Sequence, residues 1–384
     1  MGCSQNLHKH YKPSRIRNSM MEEIKTKVFG AGYKYILKPI LFQFDPELMH
    51  NVFISIGKVL GNYRITKKLT SLMFNYQNKM LSQEIFGIKF KNPIGLAAGF
   101  DKNAEIISIM EDVGFGFSEV GSITKRASKG NSGNRMKRLI EKQSLWIHFG
   151  LNNKGADKAF EDLSRKRFKI PYGFSIAKTN CKETTNPEVG LEDYLYSIKK
   201  LNSISQFLTI NISCPNAFGG QSFAEPKLFE KLMRKIKELN IRKPIFIKMS
   251  PDLTKDNVDK IIKTGKKYGV SGFICSNLTK KNIGFEKGGL SGKAVQSLSD
   301  KMIAYVYKNT RNWTTKPIII GVGGIFTAED AYRKIRLGAS LLQMITGMIY
   351  EGPQVVGEIN QGLVRLLKKD GFRNMSEAVG KGLN

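Results

Sequence analysis

The chain has 384 residues, 41% hydrophobic and 24% charged, and its 62 Lys and Arg outweigh its 32 Asp and Glu to give a net charge of +30. That length exceeds the ~250 residues of a single (β/α)8 barrel and fits one large domain with an appendage. Four scattered cysteines (Cys3, Cys181, Cys214, Cys275) argue against a disulfide framework or structural zinc site, four histidines against His-based metal chemistry, and no run is apolar enough to span a membrane. The basic excess fits either an anion-binding face, for nucleic acid or lipid, or a generally lysine-rich surface; the lysines are spread along the chain, as the second reading requires.

Residues 1–21 are basic and lack acids, which reads as a disordered leader. A transit peptide and a start at Met20 or Met21 are both compatible with it. "MGCSQN" opens like a myristoylation signal, but Asn6 stands where Ser or Thr is wanted. Residues 22–82 read as a helical extension. In "DPELMHNVFISIGKVLGN", Asp45 suits the N-cap, Pro46 the first helical position and Gly61 the C-terminal end. Leu48, Met49, Val52, Phe53, Ile56, Val59 and Leu60 form one helical stripe. Such a stripe fits a cap packed on the main domain, or a membrane-surface anchor with lysines at the headgroups.

From residue 83 the period changes. "EIFGIKF" reads as a short hairpin. Eight β-rich runs follow, at 94–99, 117–124, 172–178, 207–213, 245–250, 272–277, 317–324 and 341–347, most of them separated by amphipathic helical segments. Their near-continuous apolarity is that of parallel strands covered by helices. Eight β-α units in series predict a (β/α)8 barrel over residues 83–384, with 125–170 inserted over its mouth.

Barrel chemistry sits at the C-terminal ends of the strands. Here those ends carry Lys102, Ser122, Asn211, Cys214, Asn216, Lys248, Ser276, Asn277, Gly323, Gly324 and Thr346. Gly323 and Gly324 precede a helix start in which Thr327 and Asp330 have capping-box spacing, a pattern that suits a phosphate. Lys102 and Lys248 either snorkel or set positive charge against a cofactor ring that becomes anionic. Lysines with asparagines suggest a planar, amide-rich ligand. Cys214 is either a small buried thiol or, because Pro215 ends the strand and lifts it into the loop, a general base once positive charge favours the thiolate.

The motifs "NPIGLAAGFDKNAE", "GFGFSEVGSIT", "NISCPN", "IKMSPDLT", "GGLSGKAV" and "IIGVGGIFTAEDAYRKIRLGAS" resemble, in order and spacing, those of the dihydroorotate dehydrogenases, from about residue 33 to residue 372. "KPILFQFDPELMH" looks like the extension of the membrane-associated, quinone-using class 2 branch. The resemblance implies FMN held by Ala97, Ala98, Gly99, Ser122, Asn211, Lys248, Ser276, Gly292, Gly323, Gly324, Ile345 and Thr346. It implies dihydroorotate gripped by Lys102, Asn211, Asn216 and Asn277, Cys214 taking the C5 proton, and Arg138 near a quinone. It also implies a peripheral protein on the cytoplasmic side of the cell membrane or at the mitochondrial inner membrane. The chain departs from the pattern where Cys214 replaces the class 2 serine, Ile147 a substrate asparagine, Leu278 a hydroxyl residue, Ser175 an FMN-contacting asparagine and Ile345 a tyrosine. These departures leave open a dihydropyrimidine or tRNA dihydrouridine as substrate and fumarate as a soluble acceptor.

Overall fold

A computed structural model describes residues 25–220 and 222–383; the basic leader, with its start-site and lipidation readings, lies outside them. All eight expected strands form: β1 (Ile94–Leu96), β2 (Phe117–Ile123), β3 (Tyr172–Ile176), β4 (Phe207–Asn211), β5 (Ile245–Met249), β6 (Gly272–Cys275), β7 (Ile318–Val322) and β8 (Leu341–Met344). They pair in parallel in chain order, and β8 returns to β1 to close the barrel. The strands are shorter than the apolar runs, because the last residues of most runs turn out of the ladder to line the mouth.

Two inward layers set the interior. Phe117, Phe207, Phe246, Ile274, Ile320 and Leu341 form an apolar floor. An antiparallel hairpin, Gln83–Ile85 with Ile88–Phe90, closes it from below and packs Phe90 on Phe117 at 5.4 Å between ring centroids. Above the floor come polar side chains. Glu119 of β2 accepts a hydrogen bond of 2.6 Å from Gln343 of β8 and lies 3.8 Å from the ammonium of Lys248 of β5.

Over the mouth, Met136–Leu139, Ser144–Ile147 and Gly289–Gly292 form an antiparallel sheet with Ser144–Ile147 central. Two of its strands come from the expected insertion.

The extension begins with helical turns from residue 25 to Leu41, including a π-helical turn at Tyr33–Leu37. Helix α1 (Pro46–Asn62) follows, and the Leu48 N–H donates to Asp45 Oδ1 at 2.8 Å, the expected N-cap. Helix α2 (Arg64–Phe74) comes next. Gly61 lies at the C-terminal end of α1 as expected, one residue before its last, with Tyr63 as the C-cap. Its role is close approach. A Cβ on Gly61 would fall 2.2 Å from Ser108 Oγ, where α1 crosses helix α3 (Ile107–Val113). The expected stripe packs on the domain only in part; Leu48, Val52, Phe53, Ile56 and Val59 are 38–56% exposed.

Candidate active site

The strand ends and the cover sheet enclose one cavity. Its walls include Ala97, Ala98, Gly99, Lys102, Ser122, Asn211, Cys214, Asn216, Lys248, Ser276, Asn277, Gly292, Gly323, Gly324, Ile345 and Thr346, while Ser175, Thr327 and Asp330 lie outside them. Arg138 lies outside it, on a neighbouring apolar cavity.

The three amides are oriented by the chain itself. Asn211, at the end of β4, donates to Ser122 Oγ at 2.8 Å and accepts from the Ser213 amide at 3.1 Å and the Ser213 hydroxyl at 3.0 Å. Asn277 donates to Ser213 O at 3.1 Å. Asn216 donates to Ile147 O at 3.1 Å. Ser213 thus links two of the amides, and the cover sheet fixes the third. Ser122 in turn lies 2.7 Å, Oγ to Oγ, from Ser175, one hydroxyl donating to the other.

Cys214 sits in the loop after β4, partly buried, as Pro215 predicts. Its electrostatics differ from the sequence expectation. Burial pushes the thiol up and outweighs the amides of Asn216 and Ala217 and the charges of Lys178 and Lys280, which pull it down. Lys102 is lowered to about 8 by burial, with Glu47 opposing and Arg135 assisting. Its ammonium stands 3.6 Å from the centroid of the Phe149 ring. The departures Ile147 and Leu278 make the wall around the amides apolar.

The donor set fits a flavin. Buried Ser276 Oγ and Gln343 Oε1, both on cavity-wall residues, have no hydrogen-bond partner among the described residues. Gly323 and Gly324 take φ of +114° and +69°, a turn for which glycine is suited, just before a helix capped by the expected Thr327–Asp330 box. Thr346 opens the short helix after β8, and its hydroxyl lies 2.8 Å from Ser291 Oγ.

The apolar cavity lies between the extension and the barrel, with Met49, Phe53, Leu60, Ile109, Met348 and Arg138 in its walls. It shares His50, Phe100, Met136, Leu145 and Ile349 with the polar cavity, so the two adjoin. Arg138 donates to Phe44 O at 2.7 Å and stacks on Phe42 at 4.6 Å. His50 is held down at about 3, mainly by burial and also by Lys102, so it is neutral at the junction. The sequence reading missed His50, Glu119 and Gln343. For the last two the signal was present: a charge and an amide inside otherwise apolar strands.

A family model for dihydroorotate dehydrogenase matches residues 80–367. Similar proteins include the dihydroorotate dehydrogenase (quinone) of a Nitratiruptor species, 37% identical and covering 90% of this chain and 97% of that one. The protein of the same name from Natronomonas pharaonis is 36% identical, covering 91% and 99%. Among solved structures, the Eimeria tenella DHODH in complex with ferulenol superimposes with a TM-score of 0.79 at 28% identity, covering 89% of this chain and 98% of that one.

Proposed function

This chain belongs to the dihydroorotate dehydrogenase family, and from that premise we propose that it oxidises (S)-dihydroorotate to orotate, with FMN as its flavin and a quinone as electron acceptor. One observation carries the proposal: the cavity holding Cys214, three asparagines and two lysines adjoins an apolar cavity beneath the exposed helices. The relatives' names give no support to a dihydropyrimidine, tRNA or fumarate alternative.

Asn211, Asn216 and Asn277 hold the planar ring by exchanging their present hydrogen bonds for bonds to substrate, each worth ~0.5–1.5 kcal/mol net. Lys102 pairs with the substrate carboxylate. Cys214 takes the proton from C5. Bound FMN supplies the acceptor for the hydride leaving C6. When FMN is bound, Lys248, steadied by Glu119 from below, would set positive charge against the flavin ring, Ser276 and Gln343 would offer it oxygens that have no partner among the described residues, and the Gly323–Gly324 turn with Thr346 would hold the phosphate. Arg138 faces the quinone in the apolar cavity.

The extension exposes Tyr35 (74%), Ile36 (63%), Ile65 (75%) and Leu72 (58%), which supports docking on a lipid surface. None of the described helices is long and apolar enough to cross a membrane. The protein is accordingly proposed to lie peripherally on the cytoplasmic side of the cell membrane.

The test is anaerobic mixing with dihydroorotate, then parallel reoxidation by a short-chain quinone, fumarate or NAD. Bleaching of the flavin with quinone as fastest oxidant is expected. A flavin that stays oxidised would overturn the substrate; faster reoxidation by fumarate or NAD would overturn the acceptor.

A further inference from the structure

Behind Cys214 lies a buried cation whose charge the site has not yet used. Lys178 follows β3, and its side chain is almost wholly enclosed, with the residue 3% exposed. Its ammonium donates to Phe218 O at 2.7 Å and to Thr184 Oγ1 at 3.3 Å, both neutral oxygens. An enclosed ammonium held only by neutral acceptors is unfavourable unless an anion also faces it. Burial pushes the Lys178 ammonium down, and Cys181, Asp193 and Cys214 are the groups that act in the opposite direction. Cys181 already accepts from Arg126 Nη2 at 2.9 Å. Asp193 already accepts from the backbone amides of Lys125 at 3.2 Å and Thr179 at 3.0 Å. That leaves Cys214 as the group whose charge would change when it works.

The geometry agrees. Lys178 and Cys214 line one small cavity, about the size of a single water, together with Tyr194, Ala217 and Ser222. This cavity and the main one share Leu151, Asn211 and Cys214, so Cys214 stands in the wall between them. Lys178 also clasps the loop that carries Cys214: it holds the Phe218 carbonyl, while the Phe218 amide donates to Asn180 Oδ1 at 2.6 Å.

We propose that Lys178 is a positioning residue for proton abstraction: from the small cavity its ammonium stabilises the Cys214 thiolate, and through Phe218 it fixes the loop that aims the sulfur. The proposal rests on Cys214 being the base. In that step the C5–H bond breaks and an S–H bond forms, and the electron pair left on C5 becomes the C5=C6 bond as the hydride leaves C6 for the flavin. Lys280 and the Asn216 and Ala217 amides act on the sulfur in the same direction as Lys178, and burial acts against all of them.

The test is alkylation of Cys214 by iodoacetamide in the flavin-loaded protein across a pH series, read on its own peptide by mass spectrometry. Lys178→Met removes charge and clasp; Lys178→Gln keeps a donor for Phe218 but no charge; Lys178→Arg keeps the charge. Met and Gln are expected to raise the alkylation midpoint by about one pH unit, and Arg to leave it near wild type. Flavin reduction by dihydroorotate should slow about tenfold in the Met and Gln variants at neutral pH and recover on the alkaline side. A wild-type midpoint in the Gln variant, or equal pH-independent losses in Gln and Arg, would overturn the proposal. A wild-type flavin that dihydroorotate does not bleach would instead overturn the assigned function, while the alkylation midpoints would still decide the role of Lys178.

Discussion

The barrel mouth and the N-terminal extension treat the same chemistry in opposite ways. At the mouth, polar side chains are buried and mostly satisfied: Asn211 and Asn277 share Ser213, and Asn216 holds Ile147 O. In the extension, apolar side chains such as Tyr35, Ile36 and Ile65 are left exposed. Each region carries a deficit that a ligand would fill, polar in one and apolar in the other. A mouth that is already oriented should lose rate when altered; an exposed apolar face should lose docking and leave the chemistry alone.

The largest expected effect breaks the mouth. Cys214→Ala should keep its flavin but slow flavin reduction by ~10²–10⁴-fold, the range of a lost general base. Stopped-flow absorbance measures it, and wild-type rates would remove Cys214 from the base position. Cys214→Ser should retain activity with its pH optimum moved upward.

Next comes a test of the extension. Combining Ile36→Gln and Ile65→Gln with Leu69→Gln, a third exposed apolar residue of the extension at 55%, should weaken binding to anionic vesicles by roughly 10–100-fold, since burying each such side chain is worth up to ~1.5–3 kcal/mol. Flotation measures it, and flavin reduction should be unchanged. A parallel loss of reduction rate would show that the two regions are not separable.

The pH dependence of the mouth follows from two groups. Lys102 is lowered to about 8, so its cation is present below that pH and is lost above it. The affinity for orotate, read by titrating the flavin absorbance, should therefore fall by up to about tenfold per unit on the alkaline side. Cys214 is raised, so the single-turnover rate at saturating substrate should still climb through that range as the thiol ionises. Lys102→Met should abolish the fall in orotate affinity and leave the climb.

Gly61→Ala tests the joint between the regions. Its Cβ would meet Ser108 Oγ at 2.2 Å, so a cost of ~1–3 kcal/mol is expected. It should appear as a lower Tm and a higher KM for quinone, with dihydroorotate kinetics preserved. The smallest effect is a gain: Ile147→Asn, restoring a donor beside Asn216, should lower the KM for dihydroorotate by up to about tenfold. An unchanged KM would mean that the apolar wall is compensated by repacking.

Much of this was legible in the chain. Alternating β-rich and amphipathic segments gave all eight strands, because strand and helix periods are local properties. Pro215 placed Cys214 in a loop, and Asp45 and Thr327 placed their caps, because both act within a few residues. Three things needed tertiary structure. The Glu119–Lys248–Gln343 cluster joins residues more than 90 positions apart, and no periodicity encodes which inward residues meet across a closed barrel. The adjoining of the polar and apolar cavities at His50 depends on how the extension seats. So does the exposure of its apolar stripe: amphipathicity says which face of a helix avoids water, and only the packing decides whether that face meets protein or is left bare.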